Sequence, residues 1–252
     1  MSQEVRDAIG RLLARLERGP VTLAGDPAPD RTLVDRARRH GALEVAEGVV
    51  PTREVAVPLT GIAESRRRDL IATGHELLDL TLPAIRRTRA MIRLMLLEHR
   101  RVILVGHGDD AECRALAGEG LTIIADVDEA MRLPFSPRFG IVCQSHLGSE
   151  RLKTVAAAVK RRHPDSSTVV LDTRDPALVE REKRAVSLGR AAGGLVVWSD
   201  PSDPSGRVLH EAARFAGLES CWVHDAGEAE AIATATRRVI ATGLFQPAGV
   251  SA

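Results

Sequence analysis

Short apolar runs punctuate the chain, and between them lie polar loops and longer stretches of helical periodicity. Three times the same order recurs: an apolar run, a loop carrying Gly, Asp, Pro or Ser, then a helix. The copies begin at Val21-Thr22-Leu23-Ala24-Gly25-Asp26, at Val102-Ile103-Leu104-Val105-Gly106-His107 and at Leu195-Val196-Val197-Trp198-Ser199-Asp200. A second apolar run follows each helix, namely Ala42-Leu43-Glu44-Val45, Leu121-Thr122-Ile123-Ile124 and Cys221-Trp222-Val223. Strand, loop, helix, strand at this length is a βαβ unit and predicts parallel sheets. Ligands gather at the carboxyl ends of such strands, so the three polar loops are the places to look for chemistry.

Between these units the pattern predicts further elements. Val5 to Leu16 is a helix with one apolar stripe, Ile9, Leu12, Leu13 and Leu16, ended by Gly19-Pro20. Asp30 is placed to cap a helix from Arg31 to His40, stopped by Gly41. Val55 to Val57, Leu77 to Leu80, Gly140 to Cys143 and Val169 to Leu171 read as strands. Helices are expected over Glu64 to Thr73, Ala84 to Glu98, Ser149 to Arg161, Glu180 to Arg190 and Gly227 to Thr242. The fold class is α/β: three small parallel-sheet lobes in a pseudo-threefold arrangement around a central cleft. Their boundaries are set at 1–81, 82–170 and 171–252.

Composition narrows the function classes. The chain has 252 residues, 44% hydrophobic and 27% charged, with a formal net charge of +1, so neither nucleic acid nor a membrane surface is expected as partner. Arg66-Arg67-Arg68, Arg86-Arg87 and Arg161-Arg162 read first as solvated helix faces, with a phosphate-facing role as the minority alternative. No signal-type or spanning segment is seen, and the three cysteines, Cys113, Cys143 and Cys221, are too scattered for a disulfide framework. The expected setting is the cytoplasm and the expected partner a small-molecule ligand; the oligomeric state is left open. No His/Cys spacing suits a metal site.

The second loop, Gly106 to Cys113, is the richest. It holds His107, Asp109, Asp110 and Glu112 at a strand end, where grouped carboxylates can supply a general acid or base. The competing reading makes Asp109 or Asp110 an N-cap and Glu112 a first-turn carboxylate. Gln144-Ser145-His146 follows another strand directly, and His146 beside a hydroxyl can act as base or donor. Ser199 to Arg207 offers hydroxyls, backbone N–H groups and Arg207 to an anion, though its aspartates oppose one. Glycine at 106 and 108 without a third is weak support for a dinucleotide.

Taken in order, these loops resemble the 4-hydroxy-3-methylbut-2-enyl diphosphate reductase family, LytB/IspH. The matching stretches run from Gly19-Pro20-Val21-Thr22-Leu23 through Thr60-Gly61-Ile62, Leu78 to Pro83, Val105 to Glu112, Gln144 to Leu147, Leu171-Asp172-Thr173 and Ser202 to Leu209, to Trp222 to Ala226. The resemblance implies three α/β lobes around an iron–sulfur cluster held by three cysteines. It places Leu82 at one cysteine position, and Leu171 or Asp172 at another; the first family cysteine belongs to a segment before this chain's start, and the third lobe is shortened. Family histidines fall on Pro29, Thr60 and Asp110, the proton-relay glutamate on Glu112 and its neighbouring threonine on Ser145. Thiolates hold such clusters and leucine cannot, so the expectation is no cofactor and no metal. The resulting assignment is a non-redox acid/base enzyme acting on a small polar or anionic metabolite. Its catalytic residues are Glu112, Ser145 and His146, and its binding residues Thr60, His107, Asp110, Gln144, Ser202, Ser205 and Arg207. The alternatives are a non-catalytic binding protein and a reductase with an atypical cluster.

Overall fold

The computed structural model describes residues 3–24, 35, 37–45, 50–118, 120–200 and 203–242. The loop Gly25 to Asp30 with its expected cap, and Ser202, lie outside the described residues. The chain divides into two compact units, one of Ser2–Gln144 with Ala156–Thr173, the other of Ser145–Val155 with Arg174–Ala252.

The larger unit opens with α1 (Gln3–Leu16), whose Val5, Ala8, Ile9, Leu12 and Leu16 are buried while Leu13 is half-buried. It then builds a first sheet from β1 (Thr22–Ala24), β2 (Leu43–Val45), β3 (Glu54–Val57) and β4 (Glu76–Asp79), with α2 (Glu64–Ala72) before the last strand. All pairings are parallel, in the order β2-β1-β3-β4. Helix α3 (Pro83–Leu97) leads to a second sheet, β5 (Arg101–Val105), β6 (Leu121–Ile124), β7 (Arg138–Cys143) and β8 (Ser167–Val170). Short helices α4 (Ala111–Leu116) and α5 (Val127–Met131) and the longer α6 (Ser149–Arg162) connect its strands. Its order is β6-β5-β7-β8, again parallel, repeating the first sheet. A third sheet in the other unit, β9 (Leu195–Trp198), β10 (Ser220–Val223) and β11 (Val239–Thr242), has the order β10-β9-β11, the same motif without a fourth strand among the described residues. Its helices are α7 (Pro176–Ala192), α8 (Pro204–Phe215) and α9 (Ala226–Thr236).

The central strands explain their own sequences. Val102, Ile103, Leu104 and Val105 have no exposed surface, and neither have Leu195, Val196 and Val197. A parallel strand covered on both faces has to be apolar at every position, not at alternate ones. Aspartate caps recur where these strands feed helices: the side chains of Asp110, Asp126, Asp175, Asp203 and Asp225 accept backbone N–H bonds at the starts of α4, α5, α7, α8 and α9. Helices α2 and α3 start at residues that give no side-chain cap, Ala63 and Leu82.

Two expectations need correcting. The terminal helix expected over Gly227 to Thr242 stops at Thr236, because Arg237 turns left-handed (φ 55°) and β-branched Val239 and Ile240 then join β9 as a strand. Helix α7 starts at Pro176, four residues before the expected Glu180, with Asp175 as cap and proline at its first position. Among the described residues no helix is long and apolar enough to cross a membrane.

Candidate functional site

The larger unit carries a cleft of about 210 Å³ where the chain leaves β3 and β5 at their carboxyl ends. One wall is the Thr60-Gly61-Ile62-Ala63 segment and the first turn of α2, including Arg66; the other is α4, through Ala111, Arg114 and Ala115. Between the walls lies Arg89 of α3, whose guanidinium donates to the Ile62 carbonyl at 2.7 Å and the Ala115 carbonyl at 3.1 Å. One side chain thus fixes the spacing of both walls. Burial, then the nearby Arg67, lowers the pKa of Arg89, with Glu64 and Asp79 opposing the shift.

Gly61 makes this arrangement possible. Its φ is +82°, and a Cβ there would come within 3.3 Å of both Arg89 Nη2 and the Thr81 methyl group. Arg67 pairs with Asp79 at 2.8 Å and Arg93 with Glu64 at 2.9 Å. Burial alone would raise the Asp79 carboxyl; hydrogen bonds from Thr81 and the Arg67 charge outweigh it and hold the group below the ordinary carboxylate range.

The turn after β5 is packed tightly. Gly106 stands where a Cβ would meet Cys113 Sγ at 2.7 Å and Gln144 Oε1 at 2.9 Å. Gln144 Oε1 in turn accepts from the His107 N–H at 3.2 Å. Asp110 is engaged as the α4 cap, accepting from the Glu112 N–H at 2.8 Å. Glu112 is fully buried in the first turn of α4. Thr60 is buried and lines the cleft. The structure therefore gathers His107, Asp110, Glu112 and Gln144 around one strand end, with Thr60 on the neighbouring cleft.

The remaining expected site residues belong to the other unit. Ser145 Oγ and His146 Nδ1 lie 3.0 Å apart, a hydroxyl–imidazole pair at the tip of the loop after β7. Ser205 is buried within its own helix cap, its N–H and Oγ both donating to Asp203 Oδ1 at 2.9 and 2.6 Å. Arg207 is exposed on α8. In the same unit Arg174 and Glu182, both buried, pair at 3.1 Å and hold Ser149 at the start of α6.

The sequence pattern does not single out Arg89 and Arg114. Arg66-Arg67-Arg68 was expected as one solvated face, and only Arg68 is exposed; Arg67 is committed to Asp79 and Arg66 faces the cleft. The available signal was position: Arg66 falls in the first turn of a helix that follows a strand end.

A family model described as LytB protein matches residues 4–249. The 4-hydroxy-3-methylbut-2-enyl diphosphate reductase of Solidesulfovibrio magneticus is 25% identical over 197 residues, 76% of this chain and 68% of that protein. That of Chromobacterium violaceum is 23% identical over 254 residues, 95% of this chain and 82% of that protein. The solved E-1-hydroxy-2-methyl-but-2-enyl-4-diphosphate reductase from Plasmodium falciparum superposes with a TM-score of 0.85 at 15% identity, covering 98% of this chain and 81% of that one, a likeness of fold.

These matches overturn the expectation of no cofactor. The relatives are named as reductases, a reduction needs an electron source, and the resemblance identifies that source as an iron–sulfur cluster. The thiols described do not form a cradle for one. Cys113 and Cys143 have no exposed surface; burial, then the charge of Glu112, pushes the Cys113 thiol far up, and Cys143 lies against Thr173, its N–H donating to Thr173 Oγ1 at 3.0 Å. Burial also raises the Cys221 thiol on β10. Leu82 packs on the core cluster that contains Cys113. Iron ligation requires thiolates, and burial works against thiolate formation at Cys113 and Cys221. No chemical step is assigned to the cluster.

Proposed function

The chain belongs to the LytB family, and from that membership we propose that it acts reductively on an allylic diphosphate of the kind named for its relatives. The match across residues 4–249 carries this reading. A reduction that takes up protons with its electrons needs an acid, and Glu112 is assigned that role: it is a buried carboxyl group on the first turn after β5. Ser145 and His146 provide a second proton-handling pair. The proposal keeps three lobes at 1–81, 82–170 and 171–252, ranges that each contain the strands of one described sheet, and the proposed setting is the cytoplasm.

The test is anaerobic purification with iron analysis, followed by incubation with 4-hydroxy-3-methylbut-2-enyl diphosphate and a reduced one-electron dye. Consumption of the diphosphate is expected. Glu112→Gln should lower kcat by about 10²–10⁴-fold with an unchanged circular dichroism spectrum. Iron-loaded wild-type protein that leaves the diphosphate untouched overturns the reading. A second reading, binding without reduction, is favoured by the burial of Cys113 and Cys143 and by Leu82 at a family cysteine position; it predicts a tight complex from which the ligand is recovered intact.

A further inference from the structure

We propose that the buried Arg174–Glu182 pair is a positioning device that holds the Ser145–His146 pair in one geometry. The proton-handling role of Ser145 and His146 rests on the reading above; the clamp rests on its own contacts. The loop from Ser145 to Ser149 lies between β7 and α6, and the turn that leads into α7 grips it at both ends. At the near end the Asp175 N–H donates to the Ser145 carbonyl at 2.8 Å. At the far end the Glu182 carboxylate accepts from the Ser149 N–H at 3.2 Å and from the Ser149 hydroxyl at 2.6 Å. Arg174 donates to the same hydroxyl and, at 3.1 Å, to Glu182. His146 lies between the two ties, half-buried, with buried Leu147 next to it. All of these residues belong to one compact unit.

The origin of this cap sets it apart. Helices α4, α5, α7, α8 and α9 each take a cap from the aspartate immediately before them, which is a local bond. At α6 the acceptor for the Ser149 N–H comes from α7, 33 residues along the chain. A remote cap answers an orphan N–H and also fixes where the helix starts relative to its neighbour. The charge of Glu182 is answered within the same cluster by Arg174, and both side chains are buried. Desolvation offsets most of the attraction in such a pair, so its net stabilisation is small; a fully bonded buried network supplies rigidity instead. Ser149 Oγ sits at its centre, accepting from Arg174 and donating to Glu182, which leaves it one orientation. Proton transfer needs its partners kept within hydrogen-bond reach, and Ser145 Oγ and His146 Nδ1 are 3.0 Å apart on the loop so held.

The experiment reads the His146 ring directly, by nitrogen NMR of the full-length protein carrying isotope-labelled histidine, with His146→Gln to assign its signals. A neutral ring held by its neighbours keeps its proton on one nitrogen, whereas a released ring shares it between both. Wild type should show one tautomer at His146. Ser149→Ala, which removes the central hydroxyl and leaves the ion pair, should shift the spectrum toward a mixture of tautomers, and so should Glu182→Gln. Ser149→Thr restores a hydroxyl and should return the wild-type spectrum. Lys153→Gln, which breaks an exposed pair with Glu150 on the same helix, is the control and should leave the ring unchanged. In turnover of the allylic diphosphate, Ser149→Ala should lower kcat by about tenfold or more and leave KM unchanged, since misplacement of a reacting group acts on the chemical step. Should Glu182→Gln fail to fold, Ser149→Ala decides alone, because it removes a single half-buried hydroxyl. A mixture of tautomers already in wild type, an unmoved ring in Ser149→Ala, or an equal shift in Lys153→Gln overturns the proposal. The two readings separate cleanly. A ring that responds to Ser149→Ala in a protein that never reduces the diphosphate keeps the clamp and removes the reductase; wild-type turnover with an unmoved ring in Ser149→Ala removes the clamp and leaves the reductase.

Discussion

Two hollows in this protein each present a pair of arginines, and they lie at opposite ends of their strands. The cleft beside β3 and β5 has Arg66 and Arg114; a larger hollow of about 490 Å³ at the start of β10 has Arg214 and Arg238, with His210, Glu219 and Ser220. The larger one lies at the amino ends of its strands, where helices arrive. Arg214 belongs to the last turn of α8 and Arg238 follows the left-handed end of α9. Helix carboxyl ends carry unanswered carbonyls and a negative partial charge, and cations there neutralise them. Arg238 also pairs with Glu219 and lies over Gly194, where a Cβ would come within 2.7 Å of its Nε. At the smaller cleft a helix begins, and among the described residues its lining holds no carboxylate.

The strongest way to break this contrast is to remove the tie unique to the first region. Arg89→Ala leaves the Ile62 and Ala115 carbonyls without their donor, and should cost about 2 kcal/mol of stability. Arg238→Ala, which breaks a pair whose other member, Glu219, is largely exposed, should cost under ~1 kcal/mol. Denaturant melts of both variants check the ordering, and equal losses would deny Arg89 its structural role. A milder comparison uses two left-handed glycines. Gly217, at φ +71°, has nothing within 4 Å of a built Cβ, whereas Gly61 has Arg89 and Thr81 at 3.3 Å. Gly217→Ala should cost about 1 kcal/mol and Gly61→Ala about 2, because the second adds crowding to the backbone penalty. If the two melts coincide, Arg89 and Thr81 yield freely and the cleft wall is soft.

How much of this the amino-acid sequence disclosed depends on the range of the interaction. The repeated strand–helix–strand order was legible because buried parallel strands demand unbroken apolar runs, and all three copies formed their sheets. A cap at Asp109 or Asp110 was legible too, and the structure gives the role to Asp110. The start of α7 was legible in Asp175-Pro176 and passed over. Strand β11 was hidden because its residues continue an Ala-rich helical stretch, and only the left-handed turn at Arg237 breaks it. Arg66 was hidden for a geometric reason. Consecutive helical residues point about 100° apart, so Arg66, Arg67 and Arg68 have three fates: the cleft, Asp79 and solvent. Ser205 looked like a ligand hydroxyl, yet its cap absorbs it.

The smallest expected effect separates the two regions by pH. In the larger hollow, burial and then Arg214 lower the His210 pKa from its ordinary 6.5, against Glu211, while Ser220 Oγ lies 2.9 Å from its Nδ1. The unfolded chain then binds a proton before the folded one does. Stability from this group is therefore complete above about pH 6.5 and is lost as pH falls through the lower folded value. Beside the smaller cleft, Asp79 is held below its ordinary 3.8, so its contribution is complete above about pH 4 and is lost only in stronger acid. Both groups are substantially solvated, which limits each effect to under ~1 kcal/mol. Thermal melts from pH 8 to pH 3 should show His210→Gln drawing level with wild type or rising above it below pH 6. Asp79→Asn should remain less stable until pH nears 4 and then converge. A His210→Gln curve parallel to wild type across this range would show that the α8 end accepts a second positive charge beside Arg214, and that the hollow is not already saturated with cations.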